Sequence, residues 1–177
     1  MGAGVAVTTP VRASVTVGRL ETHYARAGRG SPVLVIARLD EPLEWSAQSL
    51  VGSLAANHRV TVAHPPDSVK SDHTFAGWLA GLLEGLGTPR AALVATAEHA
   101  LHALHFAMHY ADRVTRLALV APDPPALDGG AAGIVGDGAT PATVPLLIVP
   151  GTLQQQNAPD HRALVQFMAG ETFQGVG

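Results

Sequence analysis

The sequence predicts an α/β fold: a three-layer sandwich with a mostly parallel central sheet and helices on both faces. Two observations lead there. Short apolar runs without alternation recur along the chain, as strands covered on both faces require. Stretches of helical length and period separate them. Strand–helix alternation of this kind builds a parallel sheet with crossover helices.

The elements follow in order. MGAGVAVTTP (1–10) holds no long apolar run and reads as a flexible tail. SVTVGRLETHYARAG (14–28) alternates around a central Gly-Arg and predicts an antiparallel edge hairpin. PVLVIA (32–37) is the first buried strand, followed by a helix over 43–57 and a strand at HRVTVAH (58–64). A helix over 74–87, the strand AALVAT (91–96), a helix over 99–112 and the strand TRLALVAP (115–122) come next. PDPPALDGGAAGIVGDGATPAT (122–143) is a long Gly-, Pro- and Ala-rich stretch and predicts a flexible loop. TVPLLIVPG (143–151) and a helix over 158–170 close the series. The expectation is one domain over 11–177.

With 177 residues, 47% hydrophobic and 14% charged, the chain can bury a sizeable core. A net charge of −3 argues against nucleic acid and against a polybasic membrane anchor. The absence of cysteine excludes disulfides, a thiol nucleophile and a thiolate metal site. No run approaches the roughly 20 apolar residues of a membrane span. The expected compartment is the cytoplasm. The expected partner is a small-molecule ligand or substrate, with a homo-oligomer as a further candidate. No cofactor and no resident metal are expected.

The loops carry a resemblance. RVTVAHPPDSVKSD (59–72) is similar to the strand-and-loop pattern of the α/β-hydrolase superfamily, where Asp-x-Pro-Gly-His-Gly-x-Ser follows the second parallel strand. Pro66, Ser71 and Asp72 match it; His64, Asp67 and Val69 depart from it. HYADRVTRLALVAP (109–122) resembles the family's helix end and next strand, VPLLIVPG its penultimate strand, and Trp45 stands where a tryptophan is common. The resemblance covers about residues 11–170. It implies a minimal hydrolase-like sandwich in which 122–143 replaces the cap.

The same resemblance implies a degenerate triad. The family's G-x-S-x-G elbow holds the nucleophilic serine on a strained turn. Here it reads Ala95-Thr96-Ala97-Glu98-His99, so Ala97 stands at the serine position. Ala37-Arg38 replaces the His-Gly pair of the oxyanion loop, and Gln154 stands at an acid position. No histidine follows His161. An ordinary serine hydrolase is therefore not expected.

The residues that replace this machinery are the site candidates. Glu98 and His99 read either as general acid/base groups at the helix start or as plain helix-start chemistry. Arg38 and Asp40 follow the first parallel strand, where open sheets bind ligands. They read as an anion partner and a base, or as a mutual pair. Leu39, Trp45 and Ala97 are candidates for lining the pocket, Trp45 also for packing beneath the loop. His99, His102, His105 and His109 share about 120° of one helix face. A solvated face, a metal site and a pH-sensitive contact are all open readings, with Ala100, Leu101, Ala103, Leu104, Ala107 and Met108 expected as the core stripe. Two functions follow. One is a non-hydrolytic enzyme performing isomerisation, cyclisation, decarboxylation or dehydration on a small apolar carbonyl metabolite. There backbone N–H groups near Glu98 and Leu39 would polarise the carbonyl. The other is an inactive relative that binds a ligand or a partner chain.

Overall fold

In β3 (Ser31–Ile36) successive apolar side chains point to opposite sides of the sheet, and both sides are covered. Leu34 and Ile36 enter one core cluster; Val33 and Val35 enter the other. A strand buried on two faces has no polar face to alternate with, which is why PVLVIA reads as a continuous run. The computed structural model describes residues 9–37, 49–121, 144–150 and 159–170. The tail to residue 8 and the loop expected over 122–143 lie outside the described residues.

Among the described residues the sheet has seven strands, in the order β1-β2-β4-β3-β5-β6-β7. β1 (Val11–Val17) and β2 (Leu20–Ala27) form the antiparallel edge hairpin, closed at Val17↔Leu20 around Gly18 and Arg19. β2 runs antiparallel to β4 (His58–Ala63). From there β4, β3, β5 (Ala91–Thr96), β6 (Val114–Ala121) and β7 (Leu146–Pro150) are mutually parallel.

Helices cover both faces. α1 (Leu50–Ala55) and α4 (Pro159–Ala169) supply Leu50, Leu54, Leu164 and Met168 to one core. α2 (Asp72–Gly85) and α3 (Ala100–His109) supply Phe75, Trp78, Leu82, Ala103 and Phe106 to the other. The indole N–H of Trp78 donates to Thr22 Oγ1 at 2.9 Å, tying α2 to the hairpin inside the core. No described helix is long and apolar enough to cross a membrane, an observation that does not bear on β-barrels.

Three local expectations shift. α2 begins two residues early, at Asp72 instead of residue 74. A capping box starts it: Ser71 Oγ accepts from the Thr74 N–H at 3.2 Å, and Thr74 Oγ1 accepts from the Ser71 N–H at 3.0 Å. α3 ends at His109, and a 3₁₀ turn (Ala111–Arg113) leads into β6. The buried stripe of α3 keeps the expected Ala100, Ala103, Leu104 and Ala107 but differs at other positions. Phe106 is buried, whereas Leu101 is 42% exposed.

Candidate functional site

The register of the sheet sets the site. Ile36 lies opposite Ala63 on one side and Ala95 on the other. The next residues, Ala37, His64 and Thr96, therefore share one level at the carboxyl ends of β3, β4 and β5. Ala37 N–H donates to Ala63 O at 3.1 Å, and Thr96 Oγ1 donates to Ile36 O at 3.4 Å. These bonds hold the three strand ends together. Open α/β sheets bind ligands at this end.

Beyond Thr96 the chain makes a 3₁₀ turn (Ala97–His99) and enters α3 at Ala100. His99 is the N-cap residue of α3, with φ −113° and ψ 2° and no side-chain capping bond. Its ring turns inward and is 9% exposed. It meets His64 edge to face, with centroids 5.6 Å apart and planes at 67°. On another side it lies parallel to Phe75, at 6.3 Å and 19°. Glu98, one residue earlier, is exposed. Of the two expected acid/base groups at this turn, only the imidazole is enclosed.

Phe75 connects this turn to α2. It is fully buried; it stacks on His102 at 5.2 Å and meets Trp78 at a tilt of 51°, with centroids 5.6 Å apart. His102 in turn places Nδ1 2.5 Å from Asp72 Oδ1, on the first turn of α2. A carboxylate is stabilised at a helix N-terminus. His105 faces the other carboxylate oxygen at 3.5 Å. The histidine face of α3 is thus not a uniformly solvated one. His99 is buried, His102 is paired, and His109 is exposed.

His64 is a candidate site residue that sequence reasoning missed; it registered only as a departure from a loop pattern. Its partner is 35 positions away in the chain, and only strand pairing brings the two together. Arg38, Leu39, Asp40 and Trp45 lie outside the described residues, as does the side chain of Ala97. Among the described residues, no group of three or more His, Asp or Glu side chains is arranged to hold a metal ion.

A concavity of about 410 Å³ opens elsewhere, lined by Arg12, Ser14, His23 and Tyr24 on the β1–β2 hairpin. It contains neither His64 nor His99, although its Tyr24 pairs with Ala63, the residue before His64.

Solved structures share this architecture. Naproxen esterase from Bacillus subtilis aligns with a TM-score of 0.56 at 15% identity, over 75% of this chain and 52% of its own. An epoxide hydrolase from Vigna radiata aligns at 0.54 and 16% identity, over 72% of this chain and 47% of its own. A serine hydrolase involved in carbazole degradation aligns at 0.54 and 20% identity, over 64% and 48%. The chain has the α/β-hydrolase fold. At these identities the likeness is one of fold, and the chain spans about half the length of these structures. No family model and no curated protein matches the sequence. An α/β-hydrolase sheet presents its nucleophile turn at the carboxyl edge of the strands. In this chain, His64 and His99 meet at that edge.

Proposed function

We propose that this chain is a non-hydrolytic enzyme built on the α/β-hydrolase fold, performing proton transfer on a small, largely apolar carbonyl compound. Isomerisation, cyclisation, decarboxylation and dehydration all belong to this class. The observation that carries the reading is the contact of buried His99 with half-buried His64 at the carboxyl edge of the sheet. Imidazole is the side chain best suited to exchange protons near neutral pH. The sequence supports the non-hydrolytic part. Ala97 stands at the position of the nucleophile, and a methyl group cannot attack a carbonyl. Gln154 stands at an acid position of the pattern the chain resembles.

In this reading His99 is the general acid or base, and His64 is its neighbour in the proton path. Glu98, Asp40 and Arg38 orient or exchange protons from the rim. Leu39, Trp45 and Ala97 line the pocket, and no cofactor takes part.

The test follows the imidazole C–H resonances by NMR while a panel of small ketones and β-keto acids is added. The expected result is a shift confined to His64 and His99 for at least one compound. Binding or conversion should then be lost in His99→Ala and weakened in Glu98→Gln. Shifts restricted to other histidines, or variants that bind and convert as the parent does, would refute the assignment.

A second reading, an inactive relative that pairs with a copy of itself, draws on one observation. β1 is an edge strand whose outer side has no partner among the described residues, and Val11 on it is 68% exposed. A dimer in light scattering that Val11→Lys dissolves, with no ligand shift at His99, would favour it.

A further inference from the structure

A second group of imidazoles lies along the outer face of α3, outside the proposed reaction. His102, His105 and His109 follow at spacings of three and four, which aligns them on one side of the helix. Each has its Nδ1 turned toward an acceptor. His102 Nδ1 faces Asp72 Oδ1 at 2.5 Å, and His105 Nδ1 faces Asp72 Oδ2 at 3.5 Å. His109 Nδ1 lies 2.9 Å from the backbone carbonyl of His105. A carboxylate and a carbonyl accept hydrogen bonds and donate none, so in the bonds of His102 and His109 the Nδ1–H is the donor. In the neutral ring, Nε2 is left as a free lone pair. Histidines that bind metals are held in this way, with the far ring nitrogen donating to a carboxylate or a carbonyl.

The three are not equivalent. His102 rests on Phe75, and its side chain is only 27% exposed. His105 is 43% exposed and His109 is exposed. Their rings stack one helical turn apart, with centroids at 6.2 Å and planes at 26°. A groove of about 240 Å³ runs beside them, lined in part by Asp72, His73 and Tyr110.

We propose that the Nε2 atoms of His105 and His109 form a two-point chelating site for a divalent transition-metal cation of the nickel, copper or zinc class. Imidazole suits these ions, whereas magnesium and calcium prefer oxygen donors. Water fills the remaining coordination positions. With two protein ligands the site is open, unlike the closed four-ligand centres that stabilise folds.

Calorimetric titration of the full chain with nickel chloride at neutral pH tests this. The parent is expected to bind one equivalent. Losing an outer hydrogen-bond partner of a metal-binding histidine typically costs about 10–100-fold in affinity, and losing a ligand costs at least as much. His105→Ala and His109→Ala should each weaken binding by that factor or more, and His102→Ala should leave it unchanged. Paramagnetic broadening of amide resonances by nickel gives a second measure that needs no variant, and it should centre on residues 105–109. The proposal is overturned if the parent does not bind nickel or if both variants bind as the parent does. Loss of binding in His102→Ala, or broadening centred on His64 and His99, would overturn it equally.

Discussion

Phe75 is the ring on which the candidate site rests, and Phe75→Leu isolates what it contributes. The substitution keeps the position apolar and removes the aromatic face. Three ring contacts disappear: Trp78 at 5.6 Å, His102 at 5.2 Å and His99 at 6.3 Å. Aromatic pairs are worth about 0.5–1.5 kcal/mol each beyond the area they bury. The two histidine pairs belong at the low end, because a polar ring gains less there. Complete truncation of a buried Phe costs about 3–5 kcal/mol, which sets a ceiling. The expected loss is therefore about 2–3 kcal/mol. For a chain of this length each kcal/mol lowers Tm by about 2–4 °C, so the midpoint should fall by roughly 5–10 °C. Thermal and urea unfolding followed by circular dichroism measure it. The imidazole signals of His99 and His102 should also move, because the ring current beside them is gone. Leu79→Ala is the control. That side chain is fully buried one turn along the same helix and carries no ring current. It should cost about 2–5 kcal/mol and leave both imidazole signals in place. A Phe75→Leu chain within about 0.5 kcal/mol of the parent, or one whose His99 signal is unmoved, would refute the role given to this ring.

Two further outcomes follow from the framework around the site. Gly28 has φ 81°, and a Cβ there would press on the backbone carbonyls of His58 and Ala55; Gly18 has φ 63° and open space around it. Gly18→Ala should cost only the left-handed penalty of about 1–2 kcal/mol, and Gly28→Ala should exceed it by about 1–3 kcal/mol of forced displacement. Equal urea midpoints for the two variants would sink this distinction. His58 is buried at the start of β4, and desolvation holds its pKa below the ordinary 6.5, with the backbone at Ser31 acting in the opposite direction. As pH falls through 6.5 the unfolded chain takes up this proton before the native chain does. Stability is therefore full above that value, declines below it, and levels off once the native ring is protonated. His58→Gln should flatten the Tm–pH curve on the acid side, and an unchanged slope would contradict the assignment.

The central strands were legible because burial on two faces leaves a sequence mark. Runs read at 32–37, 91–96 and 115–122 fold as Ser31–Ile36, Ala91–Thr96 and Val114–Ala121. The hairpin was legible from Gly18 between two alternating stretches. Helix ends were less so. The start of α2 escaped notice because its capping box uses Thr74, where Glu or Gln is the usual signal. The candidate site was half legible. The turn at Ala97–His99 follows from a strand running into a helix, and the chain order alone places it there. The contact of His99 with His64 depends on which strands are neighbours and in what register, and that is written in no local pattern. The same holds for Asp72, which reaches the histidines of α3 from another helix.

The geometry of His99 bears on whether it fills space or does chemistry. Its ring is 9% exposed and packs on Phe75, so an apolar side chain of similar size would occupy the same volume. Such a side chain would need no hydrogen-bond partner, whereas a buried imidazole needs its polar atoms satisfied. As filler, imidazole is therefore a poor choice. As a proton carrier it gains from the same enclosure, because low local polarity strengthens its interaction with a bound carbonyl. The two accounts part in the His99→Ala chain. A filler leaves ligand shifts at His64 intact and lowers stability through the cavity alone. A proton-transfer group abolishes conversion even in the fraction of molecules that remain folded.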